Sequence, residues 1–462
     1  MATVGSGDRQ AIWPGGIPKP IAPYSPAIKA GGWLFVAGQL ASDFETGLAP
    51  ECRLENPNLG DPLRLQADYV LKNLAELHEA AGMDMRTDVV RIYQWFSSEY
   101  PTMEEFESRN SWPRLTISPY LETRNLYIDE PRPASTGMGI RADGLLVRGT
   151  ILEVDMISIE RREGVEKQGF AAPEGVPSPL AGYSPAICCG DWVFLAGDLA
   201  TDWQGDWLSE RRMGEPNALA PEAQVNPYLW YGSSVEAETE YTLQKLEKIA
   251  EAAGSSLDRC VKATVYIGHP QDFHAMDRVW RRWFPRNPPA RVVIPYMGLG
   301  ASGTTVEIAM KLLAKDSDLT IETVETSDAP EPLGHEPQAV KAGDFLFFST
   351  QMAFDSSGKI AAETTRHPEF PWYGDPAKLQ MRYVLRNVAA ISEAAGTKLE
   401  NLCRRQCLHD DFTWFSTTMQ EEWASHFPGD KPASTTLRIG GPLVVPGAHF
   451  VLDLIGYIPP SG

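Results

Sequence analysis

An arginine and a glutamate set inside apolar strands are the residues whose types suggest chemistry. In PARVVIPY (289–296) Arg291 opens a strand-like run, and in TTVEIAM (304–310) Glu307 interrupts a second one beyond a glycine-rich turn. A buried charge is costly unless it is paired or put to use. Arginine presents a planar fork of donors that suits a carboxylate bidentately and stays charged at any accessible pH. A glutamate within a water's reach of a bound substrate moves protons in a hydrolysis. One reading of the pair is thus an anion-binding arginine beside a proton-transferring glutamate. The competing reading is a buried Arg291–Glu307 ion pair across neighbouring strands that only fixes register.

The elements that would position these residues occur three times. DPLRLQADYVLKNLAELHEAAG (61–82) is echoed by SSVEAETEYTLQKLEKIAEAAG (233–254) and DPAKLQMRYVLRNVAAISEAAG (375–396). Each is an amphipathic helix stopped by glycine. Strand pairs precede them in WLFVAGQLASDFETG (33–47), WVFLAGDLATDWQGD (192–206) and FLFFSTQMAFDSSGK (345–359). A further strand follows each helix. Second helices are read in TMEEFESRNSW (102–112), DFHAMDRVWRRWF (272–284) and TTMQEEWASHF (417–427), and two closing strands complete each unit. The stretches 113–132 and 209–232 read as inserted loops. The predicted order is β-β-α-β-α-β-β, an α+β layer with its helices on one face of a mixed sheet. The units run near 18–165, 178–318 and 330–460.

Aligning the units extends the candidate set. Glu307 corresponds to Glu153 in ILEVDM but to Val451 in FVLDLI, and Arg291 corresponds to Ser135 and Ser434 in the two PAST segments. Tyr24 and Tyr183 precede the first strands of two units, with His335 in that place in the third. Asp155 and Asp453 lie on the same face as Glu153 and Val451 by the period of two. Neither serine has a recognisable base, so a backbone-bonding role competes with a nucleophilic one. The aromatic stripe Trp280, Trp283 and Phe284 reads as core, and Tyr228, Trp230, Tyr231, Trp372 and Tyr373 sit in loops where they either lid a cleft or pack on a helix.

The chain has 462 residues with 61 acidic against 41 basic, a net charge of −20. Such a field repels phosphate backbones and anionic membranes, which argues against nucleic-acid binding and leaves room for a small substrate. The start MATVGSGDRQAIWPGG lacks an apolar signal-length run and no window reaches a membrane-spanning length, so a cytoplasmic location is expected. The six cysteines form no close CxxC pair and no HExxH is present, so no metal is expected.

YSPAIKAGGWLFVAGQLASDFETG, the helices ending in EAAG, VKATVYIGHPQDFHAMDRVWRRWFP and PPARVVI together resemble the Rid family, also called YjgF-like or L-PSP-like proteins. The likeness spans almost the whole chain as three copies and is strongest in the second. It implies a single-chain pseudo-trimer of YjgF-like, chorismate-mutase-like units, monomeric or pairing as a homodimer, with ligand clefts at the unit junctions. It also implies a cofactor-independent hydrolase or deaminase acting on a C–N bond of an imine, an enamine or a related carboxylate-bearing substrate. By resemblance, Arg291 clamps the substrate, Glu307 and Glu153 activate water, and Tyr183 and Tyr24 line clefts. Asp277 stands where relatives often carry asparagine, adding negative charge beside the arginine. Chorismatase-like hydrolysis of an enol ether on the same scaffold, and non-enzymatic binding of a ligand or partner, are the alternatives.

Overall fold

The computed structural model describes residues 9–460 except 57–59, 99–116, 142, 203–218, 227, 229–231, 297–300, 302, 367–368, 370–373 and 415–416. Three six-stranded sheets repeat one topology. The first holds β1 (Gln10–Ile12), β2 (Ala27–Ala30), β3 (Trp33–Leu40), β4 (Val89–Ser98), β5 (Ala134–Arg141) and β6 (Leu152–Ile159), in the order β1-β2-β3-β6-β4-β5. The second holds β7 (Lys167–Phe170), β8 (Ala186–Cys189), β9 (Trp192–Leu199), β10 (Cys260–Ile267), β11 (Ala290–Pro295) and β12 (Val306–Leu313), in the order β11-β10-β12-β9-β8-β7. The third holds β13 (Ile321–Val324), β14 (Ala339–Ala342), β15 (Phe345–Phe348), β16 (Leu402–His409), β17 (Ala433–Arg438) and β18 (Phe450–Tyr457), in the order β13-β14-β15-β18-β16-β17. The pairs β4–β5, β10–β11 and β16–β17 are parallel, as a helical crossover requires.

Each long helix forms where the repeat places it: α1 (Pro62–Ala80), α3 (Ser234–Ala252) and α5 (Pro376–Ala394), with a shorter helix α2 (Ser118–Tyr127), α4 (Phe273–Trp283) and α6 (Thr417–Ser425) packed beside each. The side chains of Asp61, Ser233 and Asp375 cap the long helices by accepting the backbone N–H three residues on. Gly82, Gly254 and Gly396 then end them at φ of 72°, 74° and 79°, where a Cβ would be strained.

Two features differ from the sequence reading. In the first unit the second helix occupies 118–127, inside the stretch read as a loop, while 102–112 lies outside the described residues. Pro119 lies in the first helical turn, where proline forfeits no hydrogen bond, and Tyr120, Thr123 and Arg124 bury one face. Each sheet also gains a short edge strand, β1, β7 or β13, whose sequences QAI, KQGF and IETV are too short and polar to stand out from flanking loop.

Separate cores form between each sheet and its own helices, and a fourth core joins all three sheets. At its centre the equivalent residues Trp33, Trp192 and Phe345 meet, with ring centroids 4.9 Å apart for Trp33–Trp192, 4.6 Å for Trp33–Phe345 and 6.2 Å for Trp192–Phe345. Buried polar pairs tie the units in turn. Lys262 meets Asp453 at 2.8 Å, Arg404 meets Asp155 at 2.8 Å, and the Lys311 Nζ donates to the Tyr93 hydroxyl at 3.2 Å. The sheets thus face inward and the helices outward: the chain is an intramolecular pseudo-trimer.

Candidate functional site

The strands β11 and β12 that carry Arg291 and Glu307 are not neighbours, because β10 runs between them. Along β10 Arg291 is level with Ala263 and Glu307 with Tyr266. The two residues consequently serve different junctions, and an ion pair across adjacent strands does not form.

Arg291 faces the third unit. Its Nη2 donates to Asp277 Oδ1 at 2.6 Å, its Nε donates to Glu336 Oε2 at 3.1 Å, and Nη2 also bonds Glu336. The guanidinium lies 4.9 Å from the Trp280 ring centroid and is fully buried. Asp277 is shared further, accepting from Arg281 Nε at 2.8 Å and from the His335 N–H at 3.0 Å. Burial pushes the Asp277 carboxyl up, but Arg291, Arg281 and that N–H outweigh it and hold it below the usual range. Glu336 is one residue from the position that the sequence alignment gave to His335. Backbone bonds fix the register: Ala37, Ala196 and Ser349 donate to Pro26, Pro185 and Gln338, so the residues two before those acceptors, Tyr24, Tyr183 and Glu336, are equivalent. A carboxylate thus replaces the tyrosine at this junction and plugs onto Arg291.

Glu307 faces the first unit. Its carboxyl sits against Gly197 on β9 and near Thr136 of β5, with Arg91 and Asp198 close enough to act on its charge. One oxygen, Oε2, has no hydrogen-bond partner among the described residues, and burial pushes the carboxyl up to about 8. Tyr183 lies half-buried near it, its phenol raised by desolvation and by Asp198 and Glu307. A pocket lined by Pro177, Tyr183, Pro185, Ala196, Gly197 and Asp198 opens there. Ser135 occupies the clamp position and binds Gln94 Nε2 at 2.6 Å.

Glu153 repeats this arrangement between the first and third units. It packs against Gly38, accepts the Thr436 N–H of β17, leaves Oε2 unpartnered, and burial raises its carboxyl well above the usual range. Tyr24 lies half-buried alongside, close enough to feel both Glu153 and Arg405. In the third unit the glutamate is Val451, and the glycine opposite is Thr350, whose hydroxyl fills the space by bonding the Val293 N–H at 3.2 Å.

Four residues outside the sequence-derived set therefore matter: Arg405, Glu336, Gly38 and Gly197. The signal for the glycines was present, since a glycine inside a buried strand marks close approach of another group. Among the described residues, no group of three or more His, Cys, Asp and Glu side chains is placed to hold a metal ion, and no helix is long and apolar enough to cross a membrane.

The sequence profile of the family described as Endoribonuclease L-PSP matches residues 16–111, 174–313 and 326–449. The chain belongs to that family. Membership bears out the resemblance to Rid proteins and the reading of three tandem units. Among relatives of this L-PSP chain, a RutC family protein from Pyrococcus horikoshii is 35% identical over 119 residues, covering 26% of this chain and 84% of that protein. The 3-aminoacrylate deaminase RutC of Acinetobacter baylyi is 26% identical over 137 residues, covering 30% of this chain and 90% of its own length. A solved chorismatase structure aligns at 10% identity over 80% of this chain and 93% of its own, with a TM-score of 0.46.

Proposed function

We propose that the protein is a cofactor-independent hydrolase that opens the C–N bond of a small imine or enamine bearing a carboxylate, and that Glu153 and Glu307 are its acid–base groups. One observation carries this reading. Two equivalent glutamates are buried at unit junctions, each with one oxygen unpartnered among the described residues and a carboxyl that burial raises, well above the usual range for Glu153 and to about 8 for Glu307. A buried neutral carboxyl is a proton donor poised near working pH. It gives its proton to an enamine carbon or imine nitrogen, forming an iminium ion. Water adds to the iminium carbon as the carboxylate takes one of its protons, and the carbinolamine collapses to a carbonyl product and ammonia. The name of the Acinetobacter relative, a 3-aminoacrylate deaminase, supports the same bond class.

The assay is ammonia release from 2-iminopropanoate generated in situ, above the rate in buffer. Acceleration by the wild type, with the Glu153→Gln, Glu307→Gln double variant slower by ~10²–10⁴-fold, is the expected result. Equal rates for the folded double variant and the wild type would remove the glutamates from the mechanism.

A further inference from the structure

Five arginines are among the largest fully buried side chains of the molecule: Arg91, Arg124, Arg291, Arg404 and Arg405. Two hold carboxylates and two donate to neutral backbone carbonyls, although Arg91 Nε and Arg404 Nε and Nη1 also lack a hydrogen-bond partner among the described residues. Arg291 holds Asp277 and Glu336, and Arg404 holds Asp155. Arg91 donates to the Leu195 carbonyl at 3.0 Å and to Thr136, and Arg124 donates to the carbonyls of Ala181 and Gly182 at 3.1 and 3.2 Å. Arg405 has one neutral acceptor: its Nε donates to the Ser434 hydroxyl at 2.9 Å, while Nη1 has no partner among the described residues. A buried guanidinium left with neither a carboxylate nor a backbone carbonyl is expensive, and in a stable protein that expense points to a ligand.

The surroundings show which ligand. Arg405 lies on β16, directly beside Ser434 of β17, in the register by which Ala263 lies beside Arg291. Its guanidinium stacks 4.0 Å from the Trp423 ring centroid, as that of Arg291 stacks on the equivalent Trp280. The arginine has moved one strand across while its head kept the same tryptophan face. Trp423 in turn donates its Nε1–H to the Pro23 carbonyl at 3.1 Å, so the stack abuts the segment that carries Tyr24. Where the Arg291 junction supplies Glu336, this one supplies the neutral Tyr24. Where the Arg291 junction supplies Val451, this one supplies Glu153.

We infer that Arg405 is an anion-binding residue at the junction of the first and third units, and that it holds the carboxylate of a small monoanionic substrate beside Tyr24 and Glu153. A ring-stacked, orientation-locked fork suits a planar carboxylate, and one uncompensated cation matches a monoanion better than a dianion. The Glu307 junction has Ser135 at the clamp position and does not share this selectivity. The inference rests on the proposed hydrolase only for the chemistry that follows binding.

Calorimetric titration of the full chain with pyruvate, the oxo acid such a hydrolysis would yield, tests it, with pyruvamide and inorganic phosphate as comparison ligands. Pyruvate should bind, the neutral amide and phosphate should bind far more weakly, and Arg405→Met should weaken pyruvate by about tenfold or more. Pyruvate should raise the melting temperature of the wild type and leave that of Arg405→Met unchanged. Should the Met variant fail to fold, Arg405→Lys keeps the charge and loses the fork, and the same weakening is expected. Pyruvate binding unchanged in a folded Arg405 variant, or no pyruvate binding by the wild type, would leave Arg405 as a strut against Trp423 and overturn the inference. Ammonia release separates the two readings in a Glu307→Gln background. Arg405-dependent pyruvate binding without turnover sinks the hydrolase and keeps the carboxylate site, whereas turnover undiminished by Arg405→Met does the reverse.

Discussion

Gly38 and Glu153 are so close across β3 and β6 that a Cβ on the glycine would lie 1.9 Å from Oε1 of the glutamate. The same relationship recurs between Gly197 and Glu307, where the distance would be 2.1 Å. The third unit carries Thr350 and Val451 at these positions, so both partners have changed together. The missing side chain on one strand makes the room for a buried carboxyl on another.

This coupling predicts a non-additive pair. Gly38→Ala should destabilise the protein by forcing the buried Glu153 carboxyl from its position. Adding Glu153→Val, which recreates the third unit's solution, should recover much of that loss. A double-mutant cycle by urea denaturation should give a coupling energy within ~0.5–3 kcal/mol. Additive losses would mean that the glycine is kept for backbone reasons alone.

Arg291 should behave as a stability residue. Removing one partner from a buried charge cluster leaves the others uncompensated, typically at ~3–5 kcal/mol. Arg291→Ala should therefore lower the denaturation midpoint sharply, whereas Arg386→Ala, at an exposed pair with Glu363, should cost less than ~1 kcal/mol. The pH dependence has a definite sign. Asp277 is held below its unfolded value, so its contribution is present above the ordinary carboxylate range and is lost as acid titrates through the folded value. A flatter acid limb for Arg291→Ala is the check.

The fold was legible because each unit repeats the same helix, glycine stop and strand pattern, and three imperfect copies correct one another. The site was legible residue by residue and not as an assembly. Glu153, Glu307, Tyr24 and Tyr183 were named as candidates from the family resemblance and the alignment of the units, yet their structural partners come from neighbouring units. Sequence distance carries no information about which unit follows which around an axis. Arg291 and Glu307, on strands adjacent in the chain, were joined by that proximity, although β10 inserts between them. Arg405 was hidden for another reason. It lies on the strand next to the one where its counterpart Arg291 lies, so alignment showed only the loss at Ser434. The His335 alignment failed by one residue because GHEPQAV is one position longer before its strand than GYSPAI, and only the backbone bonds revealed that Glu336 takes the tyrosine's place.

Glu307 gives a pH-dependent signature near neutrality. Its folded carboxyl titrates at about 8, far above the unfolded value of ~4.3. A raised value means that the native state binds the proton more tightly. The stabilisation is complete below the unfolded value and is lost as pH rises through about 8. Denaturation at pH 6 and pH 9 should show a larger loss for the wild type than for Glu307→Gln, which stays neutral throughout. Turnover measured in a Glu153→Gln background should fall over the same interval as the acid form is depleted.

Tyr93 should report the charge at the centre of the pseudo-trimer. Its ring is flanked by the guanidinium carbons of Arg91 and Arg404, each 4.7 Å from the centroid, and its hydroxyl accepts from Lys311. Burial pushes the phenol up, but Lys311, Arg91 and Arg404 together outweigh burial and bring it down to about 8, against an ordinary value near 10. Tyrosinate absorbance near 295 nm should therefore show one phenol ionising about two pH units before the exposed tyrosines, and Tyr93→Phe should abolish that step. Here the sign is opposite to that of Glu307. A depressed value stabilises the fold above the unfolded pKa, and the contribution is lost as pH falls through about 8. Between pH 8 and pH 10 the wild type should thus gain stability relative to Tyr93→Phe. If the early step survives in the Phe variant, or the relative stability falls over that interval, the three cations are not acting on this phenol, and the polar links between the units are neutralised in some other way.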